Sequence, residues 1–363
     1  MRFCSSALSE SNVFTKTGEL NENRQYHTAT LLPNGKVLVV GGTISGGKDF
    51  GKCTATCELY DPNTEKWTLT GSLKTARKDH TATLLPDGKV LVAGGGSPDL
   101  RHSIPIGSAE IYDPATGLWN GTGRLQTVRM HHKAALLSNG KVLVVGGAGH
   151  QGASKTLCNL LTCELYDPAF GKWIRTASHS LHCSIETATL LQDGNVLLTY
   201  TQSYSGGMSP PSESGLYDPI AGKEKNTGRL VESVAFQTAT LLSNGNVFVA
   251  GGVSLKSKPE LVENAIAAEI YDVSSGKWRK FDYTTTGRYG HTLTLLPDDH
   301  VLVVGGHYKG EQHSEQSRAG REALVYNPNT GIPINCGNSL ANRRYHTATM
   351  LSNGKVLLVQ RNT

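Results

Sequence analysis

The amino-acid sequence predicts an all-β protein, a β-propeller of seven four-stranded blades that form a closed ring. Three observations support this prediction: one phrase recurs seven times along the 363 residues, each copy divides into four short strands, and tight turns separate the strands. The 41 glycines suit many short strands joined by tight turns better than they suit helices. Because the pattern covers nearly the whole chain, we expect a single domain spanning residues 1–363.

The recurring phrase reads HTATLLPNGKVLVVGG and begins at His27 in the first copy. Successive copies start 51 to 55 residues apart, which is the length of a four-stranded repeat. The later copies begin at His80, His132, Glu186, Gln237, His291 and His346.

Each copy contains the signals of four strands, and the first copy shows them in order. The strand TATLL is followed by Asn34-Gly35, a dipeptide that tolerates the positive φ angles of a type I′ hairpin. The run Val37–Val40 shows no alternation of apolar and polar residues, which indicates a strand buried on both faces. After the pair Gly41-Gly42, the third strand carries Tyr60 and the fourth strand opens with Trp67.

Four hydrophobic residues, a glycine pair, and a tyrosine and a tryptophan separated by six residues together resemble the kelch motif. The resemblance extends over essentially the whole chain. Kelch families fold as β-propellers, so the resemblance implies this fold, and seven periods imply seven blades.

The two ends of the chain are predicted to share one blade. Six complete units end near Leu340 and leave a lone hairpin at residues 345–360. The segment FTKTGEL at 14–20 aligns with WTLTGSL at 67–73, so Phe14 occupies the tryptophan position. We therefore expect residues near 3–20 to supply the outer two strands of the seventh blade and the C-terminal hairpin to supply the inner two. Such a blade closes the ring and removes open sheet edges.

Composition excludes several classes of protein. The formal charge of +5 comes without the Lys/Arg runs of a nucleic-acid binder, and no apolar stretch approaches the roughly 18 residues that cross a bilayer. The N-terminus lacks the apolar segment of a signal peptide, and an odd number of cysteines, seven, argues against a disulfide scaffold. We expect a cytoplasmic monomer with no nucleic-acid or membrane partner.

Function is expected on the face that carries the long connections after each glycine pair. These connections differ from copy to copy, whereas the opposite face carries short, uniform turns, and binding usually resides on varied loops held by a rigid scaffold. They span residues 43–55, 96–107, 148–161, 202–213, 253–266 and 307–321.

An Arg-x-x-His element precedes the first strand in five copies and supplies the candidate ligand-binding residues. Arginine presents a planar guanidinium group that can form two hydrogen bonds to a carboxylate. In some kelch domains arginines around the mouth of the central channel bind acidic peptides, so the resemblance implies a partner with acidic groups. A structural role within each blade is the alternative, because the element recurs in most copies. The candidates are Arg24, Arg77, Arg129, Arg288 and Arg343, with Tyr26 and Tyr345 beside the histidines.

Two adjacent copies depart from this pattern. Copy four has Cys183 and Glu186 in place of arginine and histidine, and Glu224 in place of tryptophan. Copy five has Val234 and Gln237. The loss makes the ring asymmetric, as a partner of particular shape requires, and drift of a tolerant repeat explains it equally well.

Two groups of residues have the chemistry of metal ligands without a recognised spacing. Solvated polar loops are the preferred interpretation of both, so we expect no metal site and no cofactor. The groups are His307, Glu311, His313 and Glu315 in the last long connection, and His179, His182, Cys183 and Glu186 in copy four.

A more distant likeness links the chain to galactose oxidase, whose catalytic domain is also a seven-bladed kelch-type propeller. In that family a Tyr-His pair after an Arg-x element contributes copper ligands, and Tyr26-His27 and Tyr345-His346 are similar to it. The family draws a further ligand from a separate domain, and no cysteine here is an evident crosslinking partner for a tyrosine.

The sequence is best interpreted as a non-catalytic module that binds a protein, a peptide or a glycan on its loop-rich face. The alternative is a carbohydrate-active enzyme with a site at the mouth of the channel, including a copper oxidase similar to galactose oxidase. No catalytic residue is predicted, because no Ser/His/Asp order, phosphate loop or metal signature is recognised.

Overall fold

A computed structural model describes residues 2–4, 14–97, 103–150, 156–178, 183–202, 212–232, 234–254, 265–286, 288–307, 320–339 and 343–360. The chain divides into two compact units. The N-terminal unit holds residues 17–182 and 359–362, and the C-terminal unit holds residues 1–16, 183–358 and 363. The two units are described in turn.

The N-terminal unit contains three four-stranded antiparallel sheets, named blades one to three in chain order. In each sheet the strands pair in the order in which they follow one another along the chain. Their bounds are Thr28–Leu31, Val37–Val40, Cys57–Asp61 and Lys66–Thr70 in blade one; Thr81–Leu84, Val90–Ala93, Ala109–Asp113 and Leu118–Gly121 in blade two; Lys133–Leu136, Val142–Val145, Thr162–Asp167 and Lys172–Ser178 in blade three.

The C-terminal unit contains three further four-stranded sheets, blades four to six, and one sheet of three strands. Their bounds are Cys183–Leu190, Val196–Gln202, Glu213–Asp218 and Lys223–Arg229 in blade four; Thr238–Leu241, Val247–Ala250, Ala265–Asp272 and Lys277–Thr286 in blade five; Thr292–Leu295, Val301–Val304, Glu322–Tyr326 and Pro333–Asn338 in blade six; Arg2–Cys4, Thr347–Met350 and Lys355–Val359 in the three-stranded sheet.

These sheets confirm the predicted all-β propeller architecture. The described residues form six four-stranded blades, and the seventh copy of the repeat contributes to a sheet of three described strands. The count of seven blades is therefore not confirmed. Within the described ranges the one helical segment is a short 3-10 turn at Gly47–Asp49, and none is long and apolar enough to cross a membrane.

The turns between the first two strands differ from the predicted type I′ hairpin. In blade one Gly35 has a φ of 79°, but Asn34 is not among the residues with positive φ. Gly35 N donates to Leu32 O at 2.9 Å and Leu32 N donates to Lys36 O at 2.8 Å. This is a three-residue loop, in which a type I turn is followed by a left-handed residue. The type I′ prediction was wrong because Asn-Gly serves both loops and the dipeptide does not fix the loop length.

The core lies between adjacent blades, as the continuous apolar second strands predict. Every residue of Val37–Val40 is buried, and so is every residue of Val90–Ala93. Trp119 of blade two packs in one cluster with second-strand residues of blades one and two, and Trp173 packs likewise between blades two and three. Both tryptophans are therefore structural, and removing such a buried ring costs about 3–5 kcal/mol.

In blades one and two a Thr-Gly pair at the end of the fourth strand joins the blade to the following one. Between blades one and two, the Thr70 hydroxyl lies 2.7 Å from the Tyr112 hydroxyl, and Trp119 Nε1 donates to Gly71 O at 2.9 Å. A side chain at Gly71 would place its Cβ 2.3 Å from the carbonyl oxygen of Gly117. Only glycine permits this approach, so the pair acts as a joint between blades.

The segment before blade one forms the same joint. Thr17 Oγ1 lies 2.5 Å from the Tyr60 hydroxyl, and Trp67 Nε1 donates to Gly18 O at 2.9 Å. These contacts lie within the N-terminal unit, and they match those of Thr70-Gly71 as the alignment of the two segments predicts.

The same segment also contributes to the C-terminal unit. Phe14 is 7% exposed and packs with blade-six residues and with Val356 and Leu358 of the three-stranded sheet. In that sheet the backbone of Arg2–Cys4 pairs antiparallel with Lys355–Leu357. Phe14 therefore occupies the position in this cluster that Trp119 occupies in the cluster between blades one and two.

Candidate functional site

The arginines of the Arg-x-x-His elements are buried within their own blades. In blade two Arg77 is fully buried, and its Nη1 donates to Gly94 O and Ser108 O, both at 2.9 Å. Its Nη2 donates to Ser108 Oγ at 3.0 Å and to Glu110 Oε1 at 2.8 Å. The guanidinium thus joins the end of the second strand to the start of the third, and we call this arrangement the arginine clamp.

Blades one and three contain the same clamp, and blade six contains a variant of it. Arg24 pairs with Glu58 and Arg129 with Glu164 at 2.7 and 2.8 Å. In blade six Arg288 pairs with Glu322, which lies two residues before the position of the other glutamates, where Leu324 stands. Burial lowers the pKa of Arg129, and the charge of Glu164 opposes that shift. Arg343 is buried as well, and burial lowers its pKa to about 10, which leaves it charged at neutral pH.

This placement favours the structural role that the sequence also allowed for the arginines. Four guanidinium groups, those of Arg24, Arg77, Arg129 and Arg288, hydrogen-bond to glycine carbonyls of their own blades. A direct contact between the arginines and a ligand stays a prediction.

The glutamates of the clamp were not singled out from the sequence. The carboxylates of Glu58, Glu110 and Glu164 also accept backbone N–H groups of the segment that enters the blade: Glu110 accepts from Lys74 N at 2.7 Å and from Thr75 N at 3.3 Å. The sequence did contain a signal for these glutamates, since a glutamate lies two residues before the third-strand tyrosine in blades one, two, three and five. In blade five Glu269 keeps its two backbone contacts although Val234 replaces the arginine, and burial raises its pKa.

The histidines of the elements join neighbouring blades. His80 Nε2 lies 2.9 Å from Thr28 Oγ1 of the preceding blade, and its ring packs 3.1 Å from the position of a Cβ on Gly41. His132, His291 and His346 make the same contact with a threonine at 2.7 to 3.0 Å. Burial lowers the pKa of His27 and that of His291 to about 3, so both rings are neutral at physiological pH.

The residue before the histidine position has a left-handed backbone in six of the seven copies, that of blade four being the exception. In the N-terminal unit Tyr26, Asp79 and His131 have φ angles of 57°, 54° and 57°. Asp79 N donates to Tyr26 O and His131 N donates to Asp79 O, so one chain of backbone hydrogen bonds links the three. Non-glycine residues with such φ angles are strained, and they cluster at binding sites.

These three residues form a polar surface, called here the polar arc. Lys78 Nζ lies 5.7 Å from the centre of the Tyr26 ring, and His131 Nδ1 lies 3.5 Å from Asp79 Oδ1. The side chain of His131 is 56% exposed. Tyr26, a predicted site residue, therefore lies among half-exposed polar groups that differ from blade to blade.

In the C-terminal unit two of the corresponding positions, Phe236 and Tyr345, are aromatic, whereas that of blade six is Gly290, directly after Tyr289. Phe236 and Tyr345 have φ angles of 62° and 53°, and Tyr289 lies between them with ring centres 6.0 and 6.3 Å away. Phe236 is 61% exposed. We call Phe236, Tyr289 and Tyr345 the aromatic arc. A side chain at Gly290 would be strained, because the residue has a φ of 70° and its Cβ would lie 3.2 Å from the Tyr345 ring.

The long connections of blades one to three contain short antiparallel pairings. In blade one Thr43–Ile44 pairs with Arg24–Gln25, which precede the first strand, whereas in blades two and three Gly96–Ser97 pairs with Ile104–Pro105 and Ala148–Gly149 with Cys158–Asn159. Among the described residues of each connection one large apolar side chain is exposed: Phe50 at 70%, Ile104 at 50% and Leu157 at 42%. Beside the first connection lies a cleft of about 350 Å³, lined by residues that include Glu22, Asn23, Lys48 and Asp49.

Blade four replaces the whole clamp. Cys183 and Gly215 stand where other blades have the arginine and the glutamate, and the first two strands pair over a longer stretch, from Cys183–Gln202 to Leu190–Val196. Glu186 occupies a β-bulge in the first of these strands. His179, His182, Glu311, His313 and Glu315, which the sequence analysis considered as metal ligands, lie outside the described residues.

The Tyr-His pairs do not fit the copper site that the likeness to galactose oxidase implies. His346 is 5% exposed, and its Nε2 lies 3.0 Å from Thr292 Oγ1, as in the other blade joints. His27 is buried as well, and burial is the main cause of its low pKa. The His346 imidazole packs against a neighbouring strand in the manner of His80 and the His27 imidazole is buried, so we derive no copper chemistry from these pairs.

Comparisons with known proteins agree with this architecture. The family model described as Kelch motif matches residues 26–74. Beta-scruin of Limulus polyphemus is 26% identical over 262 residues, which are 70% of this chain and 27% of that protein. Kelch-like protein 36 of Bos taurus is 25% identical over 157 residues, which are 42% of this chain and 24% of that protein. The chain thus spans about a quarter of the length of these relatives.

Two solved structures share the fold. A fungal alcohol oxidase of the AA5 family in complex with copper is 18% identical, with a TM-score of 0.67 over 93% of this chain and 70% of that chain. The structure of YjhT is 17% identical, with a TM-score of 0.61 over 87% of this chain and 98% of that chain. The repeated strands, the glycine pairs, the joints between blades and these comparisons together support a β-propeller built from kelch repeats.

Proposed function

We propose that the protein is a non-catalytic interaction module that binds a protein or peptide partner on its loop-rich face. Kelch-repeat homologues typically mediate protein interactions. The observation that carries the proposal for this chain is that the long connections of three successive blades expose the apolar side chains Phe50, Ile104 and Leu157. Protein interfaces combine such apolar anchors with polar groups around them.

The polar arc also supports the loop-rich face as the binding surface. Tyr26, Asp79 and His131 precede the first strands of the blades whose connections carry the apolar residues, and their left-handed backbones are held by hydrogen bonds between blades. A rigid backbone lowers the entropy lost on binding, because the contact residues are already ordered. We therefore assign Tyr26 and, in the aromatic arc, Tyr345 as contact residues.

The outer strands provide a matched control, because they expose apolar residues in the same three blades. Leu69, Leu118 and Ile174 are 63%, 60% and 49% exposed. Exposure alone therefore does not select the loop face. The loop face is favoured because its connections vary from blade to blade and its mouth residues are strained, as at binding sites.

Two triple variants test the proposal. One replaces Phe50, Ile104 and Leu157 by serine, and the other replaces Leu69, Leu118 and Ile174 by serine. Partners captured from a lysate of the native host are quantified by mass spectrometry against the unmodified protein. We expect the first variant to lose at least about tenfold of a specific partner, since each buried apolar anchor contributes about 1–3 kcal/mol, and the second to retain it. Equal capture by both variants would overturn the proposal.

We also propose that the chain forms one domain of seven blades, in which both ends of the chain supply the seventh. Three contacts support this: the pairing of Arg2–Cys4 with Lys355–Leu357, the burial of Phe14 beside Val356, and the joint that Thr17-Gly18 makes with blade one. Deleting residues 1–20 should therefore yield insoluble or strongly destabilised protein, because a sheet edge and a blade joint are lost together. A soluble deletion variant with an unchanged Tm would contradict the closure.

A further inference from the structure

Blade four contains a buried cluster of oxygen atoms around Glu186. The Glu186 side chain is aimed inward by the β-bulge that it occupies, and the residue is 7% exposed. Its Oε1 accepts the Thr201 hydroxyl at 2.8 Å and its Oε2 accepts Phe236 N at 2.9 Å. Bulges next to sites commonly re-aim a side chain in this way.

The charge of this carboxylate is not balanced as in the other blades. Both groups that donate to it are neutral, and Cys183 stands at the position from which an arginine would reach into the blade. Within the described part of the chain no salt bridge involves Glu186. A buried carboxylate without a counter-charge costs several kcal/mol, so the site favours a cation.

A second acceptor in the same cluster also lacks a donor. Gln237 is 3% exposed, and its Nε2 donates to Thr199 Oγ1 at 2.8 Å. Its Oε1 is buried and has no hydrogen-bond partner among the described residues. Gln237 directly follows Phe236, whose N–H binds Glu186, and Thr199 also contacts the Thr187 hydroxyl beside Glu186 at 2.8 Å. The amide and the carboxylate therefore belong to one network.

We propose that this cluster binds a hard monovalent cation, Na⁺ or K⁺, through oxygen atoms of Glu186, Gln237 and the adjacent threonines Thr199 and Thr201. Carboxylate, amide and hydroxyl oxygens are the donors that hard cations prefer. One carboxylate balances one positive charge, which selects a monovalent ion over Ca²⁺ or Mg²⁺. The cation supplies the charge that arginine supplies in the clamped blades.

Thermal unfolding at constant chloride tests this site. The Tm of the full chain is measured in NaCl, KCl, MgCl₂, CaCl₂ and N-methylglucamine chloride, whose cation is too large to enter. We expect NaCl or KCl to raise the Tm by about 2–4 °C over N-methylglucamine at cation concentrations near ten times Kd. Equal Tm values in all five salts would show that only water occupies the cluster. A response to the divalent ions alone would contradict the charge argument, and either result would overturn the proposal.

Two variants assign the effect to the cluster. Glu186→Gln removes the charge and should abolish the dependence of the Tm on Na⁺ or K⁺. Glu213→Gln is the matched control, because Glu213 lies in the same blade, is 8% exposed, and has Arg229 Nε at 3.5 Å as its counter-charge. It should retain the full dependence. Retention in Glu186→Gln would overturn the assignment.

Should Glu186→Gln fail to fold, crystals of the unmodified protein soaked in a thallium(I) salt provide the decisive measurement, because Tl⁺ substitutes for K⁺ and scatters anomalously. An anomalous peak between Glu186 and Gln237 is expected, and its absence would overturn the proposal. Neither measurement depends on a protein partner, so the cation site and the proposed interaction function fail or succeed separately.

Discussion

Blade two and blade four share one topology, but different interactions hold the inner ends of their sheets. In blade two the first two strands pair over four residues each, and Arg77 with Glu110 joins the chain beyond them. In blade four the pairing continues from Leu190 back to Cys183, and the arginine and the glutamate are both absent. The clamp and the longer strand pair therefore meet the same requirement in two ways. Each provides hydrogen-bond partners for the backbone groups where the chain enters a blade.

The difference also affects the surface. In blade two the chain leaves the sheet before His80, and Asp79 takes a left-handed conformation at the surface. In blade four the corresponding residue, Ile185, belongs to the strand and is 4% exposed. The short strand pair of the other blades, including blade five without an arginine, thus leaves the residue before the histidine position free of strand pairing. We infer that these blades present contact residues and that blade four does not.

Removing one partner of the clamp should have the largest effect on stability. Arg77→Met leaves Glu110 buried without its counter-charge, so we expect the free energy of unfolding to fall by about 3–5 kcal/mol. The double variant Arg77→Met/Glu110→Gln, which removes both charges as blade four does, should lose less. Urea denaturation measures both. The exposed Arg124→Met serves as control and should change stability by less than about 0.5 kcal/mol.

Equal losses in the single and double variants would show that the charge pair does not dominate the clamp. The hydrogen bonds from Arg77 to Gly94 O and Ser108 O would then account for its contribution.

The buried histidines of the clamped blades predict acid sensitivity. Burial lowers the pKa of His27 and that of His291 to about 3, against about 6.5 in an unfolded chain. Between these values the unfolded chain binds protons that the folded chain does not, so stability is complete above pH 6.5 and declines as the pH falls. Each such histidine should lower the free energy of unfolding by about 1.4 kcal/mol per pH unit below 6.5.

Denaturant unfolding between pH 5 and pH 7.5 measures this slope. His27→Gln, which copies the residue of blade five at that position, should reduce the slope by the contribution of one histidine. An unchanged slope would mean that His27 is protonated in the folded protein.

Blade five offers the smallest but most direct test of the comparison, because it keeps the glutamate without the arginine. Val234→Arg places a guanidinium at the clamp position, where Val234 is 3% exposed and Glu269 has a raised pKa. We expect a gain of about 1 kcal/mol at pH 7 and a lower pKa for Glu269, measured by denaturation and by carboxyl NMR. A loss of stability would indicate that the clamp also needs the strand geometry of the other blades.

Much of the fold was predictable because its signals are local. The phrase from His27 to Gly42 contains a strand, a turn, a buried strand and a glycine pair in sequence order, and the structure confirms each element in place. The turn type was wrong, because Asn34-Gly35 fits two loop lengths. Tyr26 was identified as a site residue from its place beside His27, but its left-handed backbone, with a φ of 57°, carries no signature in the sequence.

The sequence by itself determined the repeat, the strands and the all-β propeller class, since apolar runs and glycines specify local conformation. Only the tertiary structure decided what the arginines do. Arg77 and Glu110 are 33 residues apart, and of the carbonyls that complete the clamp, that of Gly94 follows the second strand and that of Ser108 lies at the start of the third. Whether a guanidinium faces a partner or its own blade depends on which acceptors the fold brings within 3 Å, and that is a property of packing across strands.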